Sequence, residues 1–276
     1  MNAHEVLAFS LTFIAAILVF APFIWLLGTV FYNGALVLSK AGIGFILRMP
    51  PLPGTSDVGG IGTVLEGSLL ITSMAMVIAT PVSILSALYI ILYEDSPLAK
   101  LGNTLLSIMI EFPTIIVGIS AFLVFGLIMG LGLSALTASI ALAVIMIPYT
   151  TIQAIGAMMV PRNIIFEAAV ALGLKDIHIA RIMLTEGKEG VITGVLVGMG
   201  KIFGETAALL FTTTTAFNLY ASGPLSPVST IPVLIFNYAF SPYNNWHNTA
   251  WGASLILTTI VLGIYLSVKL SLRRGD

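Results

Sequence analysis

Lys201 and Glu205 stand four residues apart in "GVLVGMGKIFGETAALLF", residues 194–211, where every other residue is apolar, small or hydroxylated. Successive residues of a helix are about 100° apart. On that wheel Gly194, Gly198, Lys201, Glu205, Ala208 and Thr212 share one narrow stripe, small or polar throughout. Such a face turns to another helix or to water, not to lipid. Lys201 lies about eleven residues, or about 17 Å at 1.5 Å per residue, from the start of the apolar span that begins near Gly190, close to the middle of a hydrocarbon core about 30 Å thick. A lone charge at that depth costs at least about 2.5–3.5 kcal/mol on insertion scales. Pairing at this spacing lowers the cost without removing it. Two uses fit the pair: a polar pathway through the membrane, in which Thr206 and Thr212 add hydroxyls, or an ion pair that only joins two helices. Gly194 with Gly198, and Gly200 with Gly204, also have the spacing of close helix packing.

Other chemistries lack their residues. Gly-Lys in "GMGKIFGET" is not a phosphate loop, because Val195 stands where the first glycine belongs and Ile202 follows the lysine. His4, His178 and His247 are scattered, with no metal-ligand spacing. The chain has no cysteine, which excludes disulfides and thiol chemistry. Glu66 and Glu111 fall near the starts of apolar runs and are secondary pathway candidates. Pro81 and Pro113 lie within apolar runs, where a kink is the expected effect.

The elements that must position this pair are membrane helices. Of 276 residues, 58% are hydrophobic and 8% charged, against about 25% charged in a soluble domain. Apolar runs of about 20 residues predict an all-α integral membrane protein rather than a barrel. Six spans can be drawn, over about 6–30, 64–92, 104–129, 135–158, 190–212 and 249–270. The first has no basic residue before it and is too long for a signal peptide, so a retained helix is expected. Arg162, Lys175, Arg181 and Lys188 follow the fourth span, Lys100 follows the second, and Lys269, Arg273 and Arg274 close the chain. The opposite side has only Lys40 and Arg48, and residues 213–248 have no Lys or Arg. The basic side faces the cytoplasm, so both termini are expected there. The loop 213–248 is then extracytoplasmic, with its apolar middle, Ile231 to Phe240, at the membrane surface. A net charge of −1 points to no nucleic-acid partner.

The one long polar segment, 161–189, contains "EAAVALGLKDIHIARIML", residues 167–184. Its spacing predicts a short surface helix with a break at Gly173. Its apolar side is built largely of Ala168, Ala169 and Ala171, which allow close approach of another protein surface. Glu167, Ala168, Ala169 and Gly173, with "IML" after a fixed gap, resemble the EAA loop of ABC importer permeases; Thr185 stands where that family usually has proline. "GKIFGETAALLFT" is similar to the "RAxGETAPLLFT" signature of phosphate-specific permeases of the PstA type, with Lys201 in place of the usual Arg and Ala208 in place of Pro. Further similar stretches are "GGIGTVLEGSLLI", "ATPVSILSALYIILYE", "EFPTIIVGISAF" and "TIPVLIFNYAFSP" with "AWGASLIL". The resemblance spans roughly Gly59 to Arg274.

The resemblance implies a type I ABC importer permease fold in a prokaryotic cell membrane, one permease domain that forms half of a phosphate pathway and has no catalytic site. It implies a second permease (PstC type), a pair of ATPase subunits (PstB type) that hold ATP and Mg, and an extracytoplasmic phosphate-binding protein (PstS type). Glu167, Ala168, Ala169, Gly173 and Arg181 would couple to the ATPase; Gly198, Lys201, Glu205, Thr206 and Thr212 would line the pathway. Permeases for sulfate, molybdate or tungstate, and an ion-gradient-driven secondary transporter, are the alternatives.

Overall fold

The computed structural model describes residues 3–272, and among these all regular structure is helical. In chain order the helices are α1 (Ala3–Ala41), α2 (Gly44–Leu47), α3 (Gly62–Leu92), α4 (Pro97–Glu111), α5 (Thr114–Ala121), α6 (Ala135–Ala171), α7 (Asp176–Glu186), α8 (Lys188–Phe203), α9 (Ile231–Ala239) and α10 (Asn244–Leu272). A π-helical stretch, Phe122–Ile128, continues α5, and a 3₁₀ turn, Leu209–Phe211, follows α8. Arg273 and Arg274, part of the orientation argument, lie outside the described residues.

Four stretches are long and apolar enough to cross a membrane: Phe9–Ala41, Gly62–Leu92, Ala135–Met159 and Asn244–Ser267. The chain is a helical membrane protein. Two of the expected spans are not continuous helices. The third breaks at Phe112–Pro113, and its halves, Pro97–Glu111 and Thr114–Ile128, meet at 102°. Proline cannot donate its N–H, and it drives the preceding residue out of the helical region; Phe112 is extended accordingly, at φ −71° and ψ 131°. The fifth, expected over 190–212, ends at Phe203.

The centre of the fold is the seam between α3 and α6, with α8 against α6 and α10 against α8, α9 and α1. The seam is lined by small residues, among them Ala75, Ala79, Ala138 and Ala143, all buried. Between membrane helices lipid supplies no hydrophobic drive, so close backbone approach and hydrogen bonds do the joining. One such bond runs from Ser83 to the Ile147 carbonyl at 3.3 Å, one residue before Pro148. Pro81 and Pro148 lie within unbroken helices.

One face of the segment 231–240 packs inward: Ile231, Val233, Leu234 and Tyr238 of α9 are buried in the main core, Tyr238 stacks on Trp246 with ring centroids 4.2 Å apart, and Phe236 and Phe240 stay exposed. The backbone N–H of Ile231 is claimed by Ser68 on α3 at 2.9 Å. One expectation is corrected: residues 167–171 are not part of a separate short helix. They are the end of α6, which runs through Pro161. The break at Gly173 is present, with φ +71°, a conformation that costs glycine little. After it α7 begins at Asp176.

Candidate functional site

Glu205 is the hub of the site. The helix α8 stops at Gly204, and membrane backbone freed at a break must find partners within the protein. The Glu205 carboxylate supplies one, accepting the Ala208 N–H through Oε1 at 3.5 Å. The same oxygen accepts from Thr114 Oγ1 at 2.9 Å, and Oε2 lies 3.8 Å from Lys201 Nζ. The Glu205 side chain is only 7% exposed, whereas that of Lys201 is 39% exposed. The ammonium also sits over the ring of Tyr149 on α6, 5.9 Å from its centroid.

Two helix breaks therefore converge on one carboxylate. Thr114 is the first residue of α5, immediately beyond Pro113, and Glu205 is just beyond the end of α8. The two broken segments are in close contact: a Cβ built on Gly118 of α5 would lie 2.3 Å from the Ala208 carbonyl oxygen. Lys201 is in the last turn of α8, where the helix dipole favours a cation, and Glu205 meets the N-terminus of α5, where it favours an anion. Thr114 and Tyr149, which hold the two charges, both line an apolar cavity of about 410 Å³ between α4, α5 and α6. The charge pair is thus linked through Thr114 and Tyr149 to an apolar cavity, at a place where helices are interrupted.

The stripe read from the sequence is only partly realised. Gly194 and Gly198 face α6, where an added Cβ would lie 2.7 Å from Gln153 Cβ and 2.3 Å from Thr150 Oγ1. They are packing positions. Ala208 and Thr212 lie beyond the helix end, and both are fully buried; Thr212 Oγ1 donates to the Ala208 carbonyl at 3.2 Å. Thr206 is half-buried in the irregular segment after the break. Glu66 lies apart on α3, with its Oε2 buried and unpartnered, beside a cavity shared with residues 221–223. Glu111 lies at the Pro113 break, on the surface.

The polar segment forms a second place of interest, at the end of the bundle where α3 stops. Glu167, Ala168, Gly173 and Arg181 are exposed. Ala169 is not: it is 2% exposed in a separate core made by Ala87, Leu88 and Ile91 of α3, Met158 of α6, Ile179, Ala180 and Met183 of α7, and Val191 of α8. Above that core Tyr93 donates a hydrogen bond to Asp176, and Arg162 pairs with Glu94 at 2.5 Å. The hydrogen bond to Asp176 and its negative charge raise the Tyr93 phenol above its ordinary value.

Sequence reasoning missed Thr114, Tyr149, Tyr93, Glu94, Arg162 and Asp176 as partners. The Pro113–Thr114 step was a readable helix-start signal. Nothing in a single apolar stretch marks Tyr149.

No family model matches the chain. It is 34% identical to the probable phosphate transport system permease protein PstA of Methanocaldococcus jannaschii, over 93% of this chain and 89% of that protein. It is 30% identical to the phosphate transport system permease protein PstA of Haemophilus influenzae, over 98% and 94% of the two chains. Against the protein of the same name from Yersinia pestis the identity is 32%, over 86% and 80%. With that similarity running through both the broken helices and the polar segment, the chain belongs to the PstA family of phosphate transport system permease proteins.

Proposed function

We propose that this chain is one of two permease subunits of an ATP-driven importer of inorganic phosphate, in a prokaryotic cell membrane with both termini in the cytoplasm. The other permease, the ATPase pair with its ATP and Mg, and the extracytoplasmic binding protein are those the family name implies. In this reading the chain crosses six times, α8 with the irregular segment after it serving as the fifth crossing. Residues 167–181 dock on the ATPase, and nucleotide binding there shifts the pathway between its two openings.

The observation that carries the reading is the Lys201–Glu205 pair at the convergence of two helix breaks. A phosphate that leaves its binding protein must cross a region of low dielectric without being trapped. One ammonium attracts it, and a single point charge binds weakly enough to let it leave. Glu205 balances the ammonium while the site is empty. Held by Thr114, it also presents an oxygen that accepts a hydrogen bond from a protonated phosphate oxygen. Sulfate is fully deprotonated at neutral pH and meets only repulsion there. The burial of Glu205 strengthens both effects, since charges interact more strongly away from water.

The test is uptake of labelled phosphate into vesicles that contain the assembled importer, with ATP or a non-hydrolysable analogue inside. ATP-dependent uptake blocked by cold phosphate, but not by sulfate or molybdate, is the expected result. Competition by sulfate or molybdate would overturn the substrate. Uptake that follows an ion gradient and ignores ATP would overturn the class.

A further inference from the structure

The clamp at the end of α3 joins parts of the chain that are distant in sequence. Tyr93 and Glu94 follow directly on α3. Their partners lie on either side of the Gly173 break: Arg162 on α6, nine residues before its end, and Asp176 at the first residue of α7. Arg162 is further fixed by the ring of Phe166, 5.0 Å from its guanidinium carbon, and its side chain is 18% exposed. Beneath these bonds lies the second core, in which α3, α6, α7 and α8 share one apolar cluster. The left-handed glycine opens the non-helical step between α6 and α7, and the two polar links bridge that step from the end of α3.

We propose that Tyr93–Asp176 and Glu94–Arg162 make the end of α3 and the segment 162–183 a single rigid body, so that displacement of that segment is delivered to α3 as well as to α6. Tyr93 and Arg162 are thus positioning residues for energy coupling. The inference rests on the reading of residues 167–181 as the ATPase-docking segment. The geometry favours it over a purely local role because each link crosses between elements. Without them, rotation about Gly173 would let α7 move while α3 stayed in place. Such motion would separate ATP hydrolysis from the Pro81-containing helix at the centre of the fold.

The chain has no cysteine, so within it labels attach only at introduced positions, and the complex with the unsubstituted chain serves as the background. In the full complex in lipid nanodiscs, spin labels at Leu85→Cys, an exposed position in the last turns of α3, and His178→Cys on α7 report the separation of the α3 end from α7. We expect one narrow distance that is the same without nucleotide and with trapped ATP. In Tyr93→Phe combined with Arg162→Gln the distribution should broaden. This readout needs neither transport nor knowledge of the substrate. A distance that changes between nucleotide states in the unmutated clamp, or that stays narrow in the double variant, overturns the rigid body.

Uptake and hydrolysis are then measured together. Coupling free energies of this kind correspond to about 5–150-fold, and we expect phosphate moved per ATP hydrolysed to fall about fivefold in the double variant while ATP hydrolysis persists. Equal loss of both, with the ratio unchanged, overturns the coupling role. Absence of ATP-driven uptake in the unmutated complex overturns the proposed function instead, and the distance measurement still decides the rigid body. Restoring Arg162 alone should recover part of the ratio, which mere misfolding would not show.

Discussion

Thr114 Oγ1 lies 2.9 Å from Glu205 Oε1, so the first residue beyond one helix break holds the acidic residue just beyond another. The two segments are 91 positions apart in sequence. Their junction is what allows a carboxylate to remain in a membrane helix bundle with each of its oxygens engaged.

Thr114→Val keeps the shape of the side chain and removes the donor. A hydrogen bond to a charged group contributes about 1.5–3 kcal/mol, so thermal unfolding of the purified complex should shift down and uptake should drop. Thr114→Ser should restore both. Unchanged melting and uptake in Thr114→Val would show that the bond is idle.

Lys201→Met should reduce phosphate uptake by about tenfold or more, the equivalent of ~1.4 kcal/mol, in a complex that still assembles. Lys201→Arg should retain uptake. Glu205→Gln should do something different, and sulfate should begin to compete with phosphate. The check is initial rate against increasing sulfate; a variant as selective as the parent would remove Glu205 from discrimination.

Gly118→Ala and Gly204→Ala make a matched pair. The first places a methyl 2.3 Å from the Ala208 carbonyl oxygen, whereas a Cβ at Gly204 meets nothing within 4 Å. Overpacking costs typically about 1–3 kcal/mol. Gly118→Ala should lower the melting temperature by several degrees and Gly204→Ala should leave it almost unmoved. Equal effects would mean that the two broken helices are not in the close contact described.

The Tyr93 link should be insensitive to alkali within the usual working range. The hydrogen bond to Asp176 and its negative charge raise the phenol above the ordinary tyrosine value of about 10. A raised folded value means that the contribution of the proton is complete below about pH 10 and is lost only as pH rises through the raised value. Ultraviolet titration of the parent minus Tyr93→Phe should place this one ionisation above that of an ordinary tyrosine. A difference spectrum that appears at or below pH 10 would contradict the bond.

Composition made the helical membrane class legible, because apolar runs of this length have no other home. The cores of α3, α6 and α10 could be placed within a few residues for the same reason. The two interruptions were harder. Hydropathy averages over a window and sees no difference between a straight helix and one bent by 102°. Pro113 broke its helix where Pro81 and Pro148 did not, and what distinguishes them is tertiary: the freed segment at Thr114 has Glu205 and Ala208 to receive it. At the site, the sequence named the charges and their spacing but supposed a continuous wheel. The stop at Gly204 put Glu205 within reach of α5, a neighbour that no local pattern could supply. Gly194 and Gly198 have the spacing of close helix packing, and their distances to Gln153 and Thr150 show that packing, which is compatible with a pathway role for Gly198.

The first helix carries a different kind of information from the rest. Its span Phe9–Ala41 has no buried share in its most apolar window, and Phe13, Leu18, Phe20, Ile24 and Trp25 are all exposed. Its contacts within the chain are with α10 and α2, through its later turns, where Gly34 meets Leu255. A spanning helix satisfies its backbone internally, and side chains that meet lipid need only be apolar. Within this chain, then, the early turns of α1 are constrained in length and hydropathy but hardly in residue identity. Sequence drift should be fast there and slow around Glu205, so that two homologues could differ at most positions of their first 25 residues and still specify the same fold.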